Sequence, residues 1–190
     1  MKLFILLLLI TSNSFTQEIK VPKTLKKEYD SIDKISTYKS KKTAPYTFGD
    51  MWTPIQLLLK QKDNEQPYIT MLIKWRDQRW IFADKAKLIF DDNQLDIKLP
   101  DRRTSVDAPN VNELYYIRLT DAQIELLREY LYAMGKKSSF SIRLYGQNGY
   151  VDIPGGLSVM GGLTKGMLKK NSAEMLEVMK FYDTLSEKLQ

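Results

Sequence analysis

Few residues in this chain have the type and spacing to do chemistry, and the pair Arg102-Arg103 comes first. Adjacent guanidiniums offer planar forks that suit a carboxylate, sulfate or phosphate. No second anchoring group stands near them in sequence, so a solvated loop pair competes with a binding site. Gly156-Leu157-Ser158-Val159-Met160-Gly161 has the outer spacing of a phosphate-binding loop. Gly162 and Leu163 then occupy the places where Lys and Ser or Thr would meet phosphate and magnesium, so the match fails at the residues that would act. Gly155, Gly156, Gly161 and Gly162 therefore read as parts of a turning connection or of an apolar flap. Asp91-Asp92 brings two carboxylates together, but neighbours on a strand face opposite ways, and a hairpin turn is the simpler reading. Trp52, Trp75 and Trp80, with several tyrosines, would suit stacking against carbohydrate or peptide. In a meander they more simply close the end of a core.

What the composition leaves out is as informative. The 190 residues contain neither Cys nor His. That removes disulfides, thiolate nucleophiles, zinc–thiolate sites, imidazole ligands and every catalytic arrangement built on His. Acid–base chemistry would fall to carboxylates, Lys or Tyr with shifted pKa values. No catalytic residue, cofactor site or metal site is assigned. The candidate binding surface is Arg102 and Arg103 with Gly155, Gly156, Gly161 and Gly162.

The formal charge is +6. Gln17–Asp50 holds eight Lys against five acidic residues, while Met51–Gln190 is nearly balanced. A basic tail on a balanced domain is not a nucleic-acid footprint, and no nucleic acid is expected as a partner.

Lys2 followed by the apolar run Leu3–Ile10 reads as a secretory signal, too short to span a bilayer. Its Ser14-Phe15-Thr16-Gln17 ending resembles signal peptides of exported Bacteroidetes proteins. Residues 1–16 are thus expected to be a signal peptide cut after Ser14 or Thr16, leaving no transmembrane span and a periplasmic or secreted product. Residues 17–45 are read as a basic, flexible linker with one weak helix on Leu25, Tyr29, Ile32 and Ile35. Residues 46–190 form the single domain.

The elements that must position any site follow from periodicity. Ile55–Lys60, Tyr68–Trp75, Arg79–Ala83, Ala86–Phe90 and Gln94–Leu99 predict an antiparallel meander, followed by a long connection, Pro100–Asn112. In Glu113–Leu119 the alternation sets Tyr115, Ile117 and Leu119 against Leu114, Tyr116 and Arg118. Thr120-Asp121-Ala122-Gln123 is a capping box, and Ile124, Leu127, Leu131 and Met134 form the apolar stripe of the helix it opens. Ser139–Tyr145 and Tyr150–Ile153 pair through Asn148-Gly149. A second capping box, Asn171-Ser172-Ala173-Glu174, opens a helix with the stripe Met175, Val178, Tyr182, Leu185 and Leu189. The fold class expected is α+β: an antiparallel β meander of six to eight strands with two amphipathic helices packed on it.

Trp80-Ile81-Phe82, the strand end Arg118-Leu119-Thr120, the helix, Ser141-Ile142-Arg143-Leu144-Tyr145-Gly146 and the closing Phe181-Tyr182 resemble a loose set of small exported bacterial α+β domains. The resemblance spans about half of the chain and implies fold and location, with no activity to carry over. The function expected is an exported, non-catalytic binding or accessory module whose partner is an envelope protein or an anionic surface component. A small envelope hydrolase using carboxylate or Tyr/Lys chemistry, and a subunit of an envelope or secretion assembly, are the alternatives.

Overall fold

The computed structural model describes residues 19–41, 55–90, 93–100, 102–133, 140–153 and 161–188. Among them the order is β1 (Leu25–Asp30), β2 (Ile35–Ser40), β3 (Ile55–Lys62), β4 (Tyr68–Asp77), β5 (Ala83–Phe90) and β6 (Asn93–Lys98). Then follow β7 (Arg103–Asp107), β8 (Asn110–Arg118), α1 (Asp121–Ala133), β9 (Phe140–Gly146), β10 (Gly149–Ile153) and α2 (Gly161–Lys188). The strands make two sheets, one ordered β1-β2-β3-β4-β8-β7 and the other β10-β9-β5-β6. Every pairing between neighbours is antiparallel.

The α+β class holds, but a single meander does not. After β4 the chain leaves the six-stranded sheet, builds the β5–β6 hairpin of the other sheet and returns for β7 and β8. Pairing of β4 runs along β8 from Thr70↔Arg118 to Asp77↔Val111, so β5 is free to pair with β9. Helix α1 then carries the chain back to the four-stranded sheet. Ile55–Leu59 and Ile69–Ile73 are buried on both faces, as near-continuous apolar runs require. One core joins Leu59, Met71, Tyr115 and Ile117 of the larger sheet, Leu88, Ile142 and Leu144 of the smaller, and the inner stripes of both helices.

Helix α1 starts as its sequence dictates. The Thr120 N–H donates to Gln123 Oε1 (2.9 Å) and the Gln123 N–H to Thr120 Oγ1 (3.3 Å), a reciprocal capping box. Ile124, Leu127 and Leu131 are buried, the face its spacing predicts. Met134 lies outside the described residues.

Three expectations are corrected. The stretch read as linker forms the β1–β2 hairpin, added to the sheet through β3. Its helical spacing does not operate, since Tyr29 and Ile32 are exposed and Asp30 Oδ1 accepts from the Ile32 and Asp33 N–H groups in a turn. Two large buried side chains, Leu25 and Tyr38, join it to the core, Tyr38 lying edge-on against Phe181 at 5.1 Å. The described fold therefore begins well before Tyr46. Within the long connection Arg103–Asp107 is strand β7 and Asn110–Asn112 already belongs to β8, the two joined through a cis Ala108–Pro109 bond. Finally, α2 starts ten residues before the box at Asn171, and Ser172 is buried inside it. A capping pattern stops nothing when Leu163–Lys170, rich in Leu, Met and Lys, continues the helix backwards.

Candidate functional site

The structure separates the two arginines that the sequence places together. Successive side chains of an extended segment point to opposite sides. The Arg102 guanidinium lies 4.6 Å from the centre of the Phe82 ring, and that of Arg103 lies 5.3 Å from the centre of Tyr116. Among the described residues neither forms an ion pair. Gly155 and Gly156 lie outside the described residues, as do Asp91, Asp92 and Trp52. Gly161 and Gly162 open α2, so the segment is not a loop throughout, and nothing here joins them to the arginines.

Phe82 belongs to the passage between the sheets, Gln78 to Phe82, where the sequence predicts a strand and the structure has irregular backbone. Its φ is 52°, in the left-handed region that bulky side chains disfavour. Trp80 stacks on it, with centroids 5.3 Å apart and planes 9° from parallel. Trp80 and Phe82 are thus stacked at the sheet crossover, with the Arg102 guanidinium over the Phe82 ring.

Such strain persists only where surrounding structure enforces it. Here the support comes from β8. Glu113 and Tyr115 are completely buried and project on the same side of that strand. Ile81 N–H donates to Glu113 Oε1 (2.6 Å), and Phe82 N–H is 3.0 Å from both carboxyl oxygens. The Tyr115 O–H donates to Glu113 Oε2 while its oxygen accepts from Ala83 N–H at 3.0 Å. Three consecutive backbone N–H groups of the crossover are thereby satisfied by two side chains of one strand. Burial first, and then the bond to Glu113, pushes the Tyr115 phenol above its ordinary pKa. From the other side, Asn148 Nδ2 donates to the Trp80 carbonyl at 2.9 Å.

Gly146 closes the arrangement. A Cβ there would sit 2.1 Å from the Ile81 carbonyl oxygen and 2.7 Å from that of Phe82. Gly146→Ala is accordingly expected to cost about 1–3 kcal/mol, as overpacking does. Urea unfolding followed by tryptophan fluorescence measures it, and an unchanged midpoint would show that the crossover gives way freely.

Sequence reasoning missed Glu113 as a buried group. The signal was present, because Glu113 has the parity of Tyr115 and Ile117 in an alternating strand. A carboxyl group on an inward face demands hydrogen-bond donors, and the donors come from a segment about thirty residues away in sequence.

The other cluster of titratable groups joins the helices. Arg128 of α1 is half-buried and donates to Asp183 Oδ1 from Nε (3.1 Å) and Nη2 (2.9 Å). It also pairs with Glu125. Tyr132 donates to Asp183 Oδ2 at 2.9 Å, and partial burial, then that bond, pushes its phenol up to about 12. The adjoining cleft of about 480 Å³ is lined by Glu125, Leu126, Arg128, Glu129 and Tyr132. Both Asp183 oxygens are engaged, and the cluster clasps α1 to α2. Among the described residues no group of three or more acidic side chains is placed to hold a metal ion, and no helix is long and apolar enough to cross a membrane. Compared with protein-family models, with curated proteins and with solved structures, the chain matches none.

Proposed function

We propose that the chain is an exported, non-catalytic binding or accessory module of the cell envelope, and that it meets an anionic partner around Arg102 and Arg103. One observation carries this reading: two arginines that form no ion pair among the described residues each lie over an aromatic ring, one of them Phe82, whose strained backbone is held by buried Glu113 and Tyr115. A guanidinium stacked on an aromatic face is oriented yet keeps its in-plane donors for a ligand. Strain maintained by dedicated side chains is characteristic of sites that must stay in one shape. Export is motivated by the Lys2 and Leu3–Ile10 leader.

Two measurements test the two halves. Intact mass of protein recovered from the envelope or medium should show loss of the first fourteen to sixteen residues, and retained Met1 would refute export. Crosslinking in cells followed by mass spectrometry should identify a partner whose capture is lost in an Arg102→Ala/Arg103→Ala variant. Equal capture would remove the proposed surface. Turnover in a screen of esterase, glycosidase, peptidase and phosphatase substrates would replace the binding reading by the hydrolase one.

A further inference from the structure

Strand pairing determines what the outer face of the six-stranded sheet presents. Arg103 stands opposite Leu114, Tyr116 opposite Leu72 and Arg118 opposite Thr70, and directly opposed residues share a face. The same alternation that turns Glu113 and Tyr115 inward turns Tyr116 and Arg118 outward. Of this parity, Thr70 and Leu72 on β4 are buried, so the exposed part of the face lies along β8 and β7, where Tyr116, Arg118 and Arg103 stand. Arg118 repeats the motif of Arg103, its guanidinium lying 4.2 Å from the centre of the Tyr68 ring. Both arginines are exposed, Tyr116 is 37% exposed, and among the described residues neither arginine has an acidic partner. The face therefore carries two Arg–Tyr units in a row across β7, β8 and β4.

We propose that this row binds an extended acidic polysaccharide, with uronate carboxylates on Arg103 and Arg118 and sugar rings against Tyr116 and Tyr68. The inference rests on the binding-module reading and names the partner chemistry for it. Spacing favours a polymer over a small anion. Four residues of strand and one strand-to-strand step put the two arginine Cα atoms about 14 Å apart, too far for one carboxylate to bridge. Charge favours a sugar polymer over a nucleic acid. Tight phosphate binding draws on roughly six to ten neutralised charges, whereas the two guanidiniums of this row suit a chain of lower charge density with hydroxyl groups to offer tyrosine.

The test uses purified protein against polygalacturonate, neutral dextran, single-stranded DNA and anionic phospholipid vesicles, by affinity electrophoresis or calorimetry. Polygalacturonate should bind, more weakly as salt is raised, and Arg103→Gln/Arg118→Gln should lose about tenfold or more in affinity. Lys26→Gln, on β1, serves as the exposed-charge control and should bind as the parent does. These arginines are exposed, so the variant is expected to stay folded, which its circular dichroism verifies. Unchanged affinity in the double variant overturns the site. Preference for DNA or vesicles overturns the polysaccharide class while leaving a binding module in place. Binding to none of the four overturns the inference, and the crosslinking experiment decides separately whether the module reading falls with it.

Discussion

Glu113→Ala is expected to lower the free energy of unfolding by about 3–5 kcal/mol. The carboxyl group acts as acceptor for Ile81 N–H, Phe82 N–H and the Tyr115 O–H, all at a completely buried position. Alanine leaves those donors without their partner at a buried position, and each orphaned group costs about 1–3 kcal/mol. The strain at Phe82, φ 52°, then loses its counterweight, so the crossover should relax as well as weaken. Glu113→Gln should fall between parent and alanine, since an amide keeps one acceptor oxygen but turns a donor toward donors. Urea unfolding of the three proteins gives the order. If glutamine is as damaging as alanine, the single retained acceptor has no value and the hydrogen-bond account fails.

Leu127→Ala should cost about 2–5 kcal/mol, against roughly 0.5 kcal/mol or less for Glu125→Ala two residues away. Leu127 is wholly buried in the core that α1 shares with both sheets, so truncation leaves a cavity under the element that bridges them. Glu125 is exposed, and among the described residues its ion pair is with Arg128, which keeps two hydrogen bonds to Asp183. Equal losses in chemical denaturation would mean that the docked face is misassigned.

The elements most legible in the sequence are those where one local rule acts alone. The Thr120–Gln123 box, the Ile124–Leu127–Leu131 stripe and the alternation of Tyr115 and Ile117 are satisfied within a turn or a strand, and all three are present in the structure. What was not legible depends on partners distant in the chain. Nothing local tells β4 to choose β8 over β5, and hence one meander from two sheets. Leu25–Ser40 has too few apolar residues to declare itself, because most of its order comes from backbone bonds to β3. Of the candidate site, Arg102 and Arg103 were visible as residue types. Their aromatic seats, Phe82 and Tyr116, were not, since those contacts exist only after the crossover and the β7–β8 pairing have formed.

The outermost strand of the larger sheet has a consequence of its own. Along β1 only Leu25 is buried, and the five residues after it are exposed. Such a strand is held by its ladder to β2 with almost no side-chain burial to reinforce it, which places it at the low-energy end of local opening. Each opening bares the unpaired edge of β2, a template for another chain. The alternation of charge on the strand meets that hazard. Glu28 is clasped between Lys26 and Lys39, tying the two strands together, and Lys27 keeps a further cation on the rim. Edge-to-edge stacking of two copies through β1 would crowd these lysines against one another, which disfavours pairing at that edge.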